Sequence, residues 1–493
     1  MNWKSIQNGS DIRGVALEGV ADEPITLTPD VARTLGWSFA CWVKEKCNVE
    51  SPRISVGHDS RLSANSLKQA VAEGIEAAGG ETGDGGLAST PAMFMSTVFE
   101  NHRFDGAIML TASHLPFNRN GLKFFTRTGG LDKYDIGAIL EQAEAKGFFA
   151  PEPLRKTFAA ALMADYSDHL VQIIREGAQA SEPLTGLHIV VDAGNGAGGF
   201  FADQVLKPLG ADISGSQFLT PDGNFPNHIP NPEDKEAMGA IVEAVVDQQA
   251  DFGIIFDTDV DRAGAVDASG QPINRNRFIA LMAAIVLEEH PGTTIVTDSV
   301  TSSGLKKWIE SLGGTHHRFK RGYRNVINES IRLNAEGRDS QLALETSGHG
   351  ALKENYFLDD GAYQIAKILV KIAKLKATNA GSIGELIASL EEPQEALEMR
   401  PKIMVDNFSA YADQVLDQFT HFIETKKDWS LTPDNYEGVH VTTPNGWLLM
   451  RKSLHDPQLP INIESDQEGG ATRLKEELLV FLEPFEELAI HSR

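Results

Sequence analysis

Cysteine is almost missing from this chain of 493 residues, which has only Cys41 and Cys47. They lie six apart in one helical segment, a spacing that makes neither a metal knuckle nor a disulfide framework, so both read as core or surface thiols. Positive charge is scarce too: 44 Lys and Arg stand against 69 Asp and Glu, a formal net charge of −25. Most of such a surface repels a phosphate backbone, and nucleic acid is not an expected partner. Long apolar runs are also lacking. The longest, Phe278 to Leu287, is too short to cross a bilayer, and the opening MNWKSIQNGS lacks the basic-then-apolar layout of a signal peptide. The expectation is a soluble, cytoplasmic protein with no membrane partner. The length is too great for one core and suggests three or four domains. Helix, strand and loop signals alternate along the chain, which argues for α/β layering.

The densest chemistry lies in Gly106 to Gly130. An apolar run, Ala107 to Leu110, reads as a buried strand and breaks into Thr111, Ala112, Ser113 and His114. Ser113 thus stands where a strand empties into a loop, the usual place for active groups in open α/β sheets. Lys123 follows on a second short strand, so a hydroxyl, an imidazole and an ammonium fall within eleven residues. Taken alone, Ser and His at a strand end are as readily turn formers bonded to local backbone. The G-x-S-x-G elbow is absent here, which disfavours a serine hydrolase.

A second cluster follows the strand Phe252 to Phe256: Asp257, Asp259 and Asp261, then Arg262. Three carboxylates at alternate positions of a turn repel one another unless a cation sits among them. An EF-hand is excluded, since the sixth position of the loop is Arg262 and the twelfth Ala268. An all-oxygen set with few protein ligands suits magnesium; the plain alternative is an exposed acidic turn. Glu345 and Ser347, two apart in an extended segment after the strand Gln341 to Leu344, point the same way and can grip vicinal sugar hydroxyls. His349 beside them is a candidate proton shuttle. The cluster Lys320 to Arg324 is an ordinary basic surface, or the attractor of a dianion. Arg451 and Ser453 end a strand and offer a guanidinium fork and a hydroxyl to phosphate. The turn Asp192 to Gly199 fits neither a Walker A loop nor a clean G-x-G-x-x-G and is expected to serve tight packing.

The segment TASHLPFNRNGLKFF closely resembles the phosphoserine loop (TASHNP…NG.K) of the α-D-phosphohexomutases. Further motifs of that superfamily recur in its order. Asp11-Ile12-Arg13-Gly14 matches DIRG, with Ser10 where relatives carry an aromatic residue or Thr. Gly57 to Ser63 is similar to a G.D.R.S turn, read as a structural Asp59–Arg61 pair, and Pro221 to Pro232 to PDG.FP…PNP. DTDVDR matches DGD.DR with Thr258 in place of glycine, and Glu345 and Ser347 match GE.SG. Tyr323 replaces the histidine of a T-G-H found in many relatives. In the C-terminal loop Arg451, Ser453 and Pro457 fit R.S.TEP, whereas His455 and Asp456 replace Thr and Glu.

The resemblance implies an α/β protein of four domains, three related mixed α/β domains and a smaller C-terminal α+β domain around a central cleft. The expected bounds are a phosphoserine domain at 1–155, a metal-binding domain at 156–268, a sugar-binding domain at 269–385 and a phosphate-binding domain at 396–493. It implies interconversion of hexose 1-phosphate and hexose 6-phosphate, of glucose and/or mannose, through phospho-Ser113 and a hexose 1,6-bisphosphate. The expected catalytic residues are Ser113, Lys123, Arg13, His114 and His349. Mg²⁺ is expected on Ser113, Asp257, Asp259 and Asp261. Arg262, Arg324, Glu345, Ser347, Arg451, Ser453 and His455 are expected to bind the phosphosugar, in a monomer or homodimer. Phosphoglucosamine mutase and a non-catalytic sugar-phosphate-binding regulator are the two alternatives.

Overall fold

The computed structural model describes residues 1–453 and 456–490. Their contacts gather into two compact units: Met1–Phe278 with Ser347–Gly384, and Ile279–Thr346 with Glu385–Arg493.

The first sheet of the first unit runs, in spatial order, Gln7–Asn8, Asp11–Val15, Arg119–Thr126, Gly106–Leu110, Arg53–His58, Glu81–Leu87 and Thr157–Ala159. Arg53–His58 pairs parallel with both neighbours, while Arg119–Thr126 runs antiparallel to Gly106–Leu110 and to Asp11–Val15. Every position of Gly106–Leu110 is buried, which is why it shows an unbroken apolar run and no alternation. Helix Pro29–Cys47 starts as its sequence signal demands. The Thr28 side chain accepts from the Val31 amide, Pro29 occupies the first turn, and Asn48 closes the far end in the left-handed region. This helix meets helix Ala64–Ala77 at two glycines. A Cβ on Gly74 would lie 1.9 Å from the Arg33 carbonyl oxygen, and one on Gly36 2.3 Å from that of Val71. Any side chain there would part the two backbones.

The second sheet of this unit orders Pro272–Ile273, Ala263–Asp267, Phe252–Phe256 and Ile189–Asp192. The glycine-rich turn after Asp192 packs as expected. The Ala197 amide donates to the Thr258 carbonyl at 2.8 Å, and a Cβ on Gly196 would come within 2.6 Å of that same oxygen. The turn is a backrest for the aspartate loop. The chain then enters a π-helical turn, Phe201–Leu206. A hairpin of Gly350–Leu352 and Leu358–Asp359 leads into helix Gly361–Thr378, capped by the Asp360 carboxylate.

In the second unit Thr294–Thr297 lies parallel between Thr315–Arg318 and Leu342–Leu344, with helices Ser303–Ser311 and Tyr323–Ala335. Its C-terminal part is an antiparallel sheet ordered Glu395–Met399, Ile461–Ser465, Gly446–Met450, Val439–Thr443 and Ser430–Leu431. Helices Phe408–Glu424 and Gly470–Leu482 pack with it around Phe419, Leu448, Ile463 and Leu478. The architecture is that of α/β domains followed by an α+β C-terminal region. Among the described residues no helix is long and apolar enough to cross a membrane.

Candidate active site

Two strands of the first unit deliver the two halves of one buried site. Gly106–Leu110 ends in the loop of Ser113, and Phe252–Phe256 ends in the loop of Asp257, Asp259 and Asp261. Both loops hold unusual backbone. Ser113 has φ of 50° and Val260 φ of 67°, left-handed values that cost a non-glycine residue about 1–3 kcal/mol and concentrate at functional loops. The Ser113 turn is held from beneath by Arg61, which is buried and donates to the carbonyls of Ser113, Leu115, Pro116 and Arg119 at 2.5 to 2.8 Å.

Ser113 Oγ donates to Asp257 Oδ2 at 3.1 Å and accepts from Arg262 Nη2 at 3.1 Å. The same Arg262 nitrogen donates to His114 Nδ1 at 2.8 Å. That bond requires a neutral imidazole, in keeping with a pKa pushed down by burial of the ring and then by the charges of Arg262 and Arg13. Lys123 crosses from the neighbouring strand, with Nζ 2.8 Å from Asp259 Oδ2 and 2.5 Å from Asp261 Oδ2. Thr90 donates both its amide, at 2.8 Å, and its hydroxyl, at 2.5 Å, to Asp259. Arg13 sits on strand Asp11–Val15 in an ion pair with Asp11 at 3.2 Å, and no hydrogen bond joins it to Ser113.

The three aspartates are buried, and one oxygen of each lies within 4.8 Å of the others. Burial and then the Asp261 charge push Asp257 well above the usual carboxylate range. Burial raises Asp261 as well, but Lys123, His349 and Arg262 outweigh it and hold that carboxyl far below its usual value. Asp259 Oδ1 and Asp261 Oδ1 have no hydrogen-bond partner among the described residues. Two unsatisfied, buried carboxylate oxygens in a hard-oxygen cluster are what a divalent cation would satisfy, so the donor set fits a metal.

His349 joins this cluster. Its Nδ1 lies 2.6 Å from Asp359 Oδ2 and 3.7 Å from Asp261 Oδ1. Burial alone would lower its pKa, yet the two carboxylates outweigh that and raise it to about 9. Ser347 is buried two residues earlier in the same unit.

The remaining sites expected from sequence lie in the second unit. Glu345 follows the Leu342–Leu344 strand and accepts from the Gly322 amide at 2.5 Å, which ties its carboxylate to the 320–324 turn. Arg324 stands in the first turn of helix Tyr323–Ala335, with its guanidinium 5.7 Å from the Tyr323 ring. Arg451 is buried, with Glu437 Oε1 3.9 Å from Nη1, and burial lowers its pKa. The Ser453 hydroxyl accepts from the Asp456 amide at 3.2 Å. His455 lies outside the described residues.

Thr90, Arg61, Asp359 and Glu437 were not among the expected site residues. Their local signals were a first helical residue after the Ser89 cap, a turn, a helix start and an acidic loop residue. Their second partners lie 169 residues away for Thr90 and 52 to 58 for Arg61.

Three successive models match the chain: the phosphoglucomutase/phosphomannomutase α/β/α domains I, II and III, over residues 4–149, 164–270 and 274–392. A phosphomannomutase of Salmonella montevideo is 31% identical over 89% of this chain and 91% of its own length. A phosphoglucomutase of Neisseria gonorrhoeae is 28% identical over 97% of each. The crystal structure of a phosphoglucomutase/phosphomannomutase family protein from Burkholderia thailandensis superposes with a TM-score of 0.81 at 26% identity, covering 99% of both chains. With the aspartate loop, the serine turn and near full-length similarity in agreement, the chain belongs to the phosphoglucomutase/phosphomannomutase family.

Proposed function

We propose that this protein is a hexose-phosphate mutase that interconverts hexose 1-phosphate and hexose 6-phosphate, of glucose and/or mannose, by lending and recovering a phosphoryl group on Ser113. The observation that carries the reading is Ser113 Oγ held between Asp257 and Arg262 at 3.1 Å from each, beside a ring of three buried aspartates and Lys123. Uncatalysed transfer from a phosphate monoester is so slow that enzymes supply up to roughly 10²¹-fold. Most of that comes from placing charge and excluding water. Arg262 supplies fixed positive charge at Ser113 Oγ, and Lys123 supplies it at the aspartate ring. In the proposed cycle the free hydroxyl of the sugar attacks phosphorus as the bond to Ser113 Oγ breaks. The resulting hexose 1,6-bisphosphate turns over and returns its other phosphoryl group to Ser113. The same bisphosphate primes an enzyme that has lost its phosphate.

Mg²⁺ suits the donor set. Asp257, Asp259 and Asp261 would hold it next to Ser113, and when bound it supplies charge neutralisation at the phosphoryl oxygens. His349, oriented through Nδ1 by Asp359, is the proposed proton shuttle. His114 accepts from Arg262 and fixes its fork, and Arg13 adds positive charge from the adjoining strand. Arg324, Glu345, Ser347, Arg451, Ser453 and His455 are assigned to the sugar hydroxyls and to the phosphate not in reaction. The proposed location is the cytoplasm, as a monomer or homodimer acting on small phosphosugars and not on nucleic acid.

The test is Ser113→Ala. The variant should lose interconversion of glucose 1-phosphate and 6-phosphate even when primed with the 1,6-bisphosphate. Wild type should carry one phosphate at Ser113 by intact and peptide mass. A fully active variant would refute the assignment.

A further inference from the structure

Within the second unit, and made of none of the residues assigned above, is a groove of about 470 Å³. Its one wall is strand Thr315–Arg318 with Lys306 and Arg338, and its other is the 432–436 segment with His440. It adjoins a hollow of about 500 Å³ that shares Lys306, Arg318, Thr432 and His440 with it and is also lined by Glu310, Glu464 and Asp466. The larger share of its charge is positive. Lys306, Arg318 and Arg338 line it against a single carboxylate, Asp434, in a chain whose net charge is −25. Lys306 and Arg338 are exposed and share their charge with Glu310 and Glu336, and Arg318 is the cation of the three without an ion pair among the described residues, so it favours an anion there.

The floor has the build of a site. Arg318 is fixed by two neutral acceptors, donating from Nε to Thr301 Oγ1 at 3.1 Å and from Nη2 to the Ser302 carbonyl at 2.7 Å. It forms no ion pair among the described residues, and the Glu464 and Asp298 carboxylates act on it only from beyond ion-pair distance. His440 is 5% exposed. Its Nδ1 is taken by Thr432 Oγ1 at 2.6 Å, and its Nε2 has no partner among the described residues. A buried imidazole nitrogen left unmatched at the floor of a polar groove is a hydrogen-bonding group awaiting a partner. Above this floor the Tyr436 ring stands 5.0 Å from Phe319 and 5.3 Å from His317, centroid to centroid. Tyr436 is 40% exposed, so this aromatic wall can still take a ring against it.

We propose that this groove is a second anion site, built of none of the residues assigned to the reaction. It takes a small phosphorylated molecule with an attached planar ring, of the nucleotide class, with phosphates toward Arg318, Lys306 and Arg338 and the ring against Tyr436. A ligand gripped from both walls ties residues 301–319 to 432–440, so it stabilises the second unit by mass action.

The experiment uses the full-length enzyme and ADP, orthophosphate and ribose 5-phosphate as probes, read by calorimetric titration and thermal shift. The variants are Lys306→Glu with Arg338→Glu, and Tyr436→Ala. Both charged side chains are exposed, with ion pairs among the described residues only to Glu310 and Glu336, contacts worth about 0–1 kcal/mol each, so the fold should persist. ADP is expected to bind wild type saturably and raise its melting midpoint. The double charge reversal should weaken ADP by at least about tenfold, the scale of one or two charge-assisted contacts. Tyr436→Ala should weaken it by about fivefold. Basal mutase turnover should not change in either variant. No saturable binding at millimolar ADP, or equal affinity in wild type and the double variant, would overturn the proposal. Orthophosphate binding as tightly as ADP would overturn the nucleotide assignment.

Discussion

Lys123→Met is the sharpest probe of the aspartate ring. Lys123 places its ammonium 2.8 Å from Asp259 and 2.5 Å from Asp261, and its side chain is 6% exposed against 0% and 2% for theirs. Removing one partner of a buried ion pair costs about 3–5 kcal/mol, because the charge left behind is neither solvated nor matched. Some relief is built in. Asp259 keeps the Thr90 hydroxyl, and Asp261 keeps His349 at 3.7 Å and Arg262 at 4.0 Å. The low end, about 3 kcal/mol, is therefore expected for metal-stripped protein. At ~2–4 °C per kcal/mol for a large domain, the midpoint of the unit carrying these residues should fall by roughly 6–12 °C. Differential scanning calorimetry in EDTA measures this. The deficit should shrink toward acid pH, where the stranded carboxylates can take up protons. It should also shrink in saturating MgCl₂, because a divalent ion would replace the missing charge and would raise the variant's midpoint more than the wild type's. A variant melting within about 2 °C of wild type in EDTA would show that the cluster does not need the lysine's charge, and the electrostatic account of the site would be wrong.

Two other outcomes follow from the same geometry. Arg61→Lys keeps the charge but cannot reach four carbonyls at once, so the Ser113 turn should loosen. A misplacement of about 1 Å is enough for a roughly hundredfold loss of kcat, whereas KM should change little; steady-state kinetics showing kcat within twofold of wild type would sink this. His349 has a folded pKa of about 9, raised from an ordinary 6.5. Its imidazolium thus contributes stability that is complete below about pH 6.5 and lost as pH rises through 9. In EDTA the melting-midpoint gap between wild type and His349→Gln should be widest near pH 6 and should close by about pH 9.5. A gap that is flat across this range would contradict the Asp359 and Asp261 pairing.

Much of this site was legible from short stretches. A buried strand spilling into Thr-Ala-Ser-His, and three aspartates at alternate positions after another strand, declare themselves because strand burial, turn chemistry and like-charge repulsion act over a few residues. The Thr28–Pro29 helix start was legible for the same reason. Asp192 to Gly199 read as a packing turn because its glycine spacing suits no phosphate loop, and it does pack, against Thr258.

What the linear order could not state is which distant groups share one space. Lys123 was expected among the catalytic groups near Ser113, and the structure shows its ammonium on two carboxylates 136 and 138 residues away. Arg61 looked like half of a salt bridge with Asp59, and it is also the clamp on four carbonyls of the Ser113 turn. His349 could be a base or an acid on sequence alone; the Asp359 carboxylate across a hairpin favours its protonated form. The basic groove, drawn from residues between 299 and 440, has no motif at all. Local sequence determined the strands, the turns and the kinds of groups at their ends, because those depend on neighbours along the chain. Tertiary structure decided the charge partners and protonation states, because these depend on burial and on distances of a few ångströms set by the order of strands in a sheet.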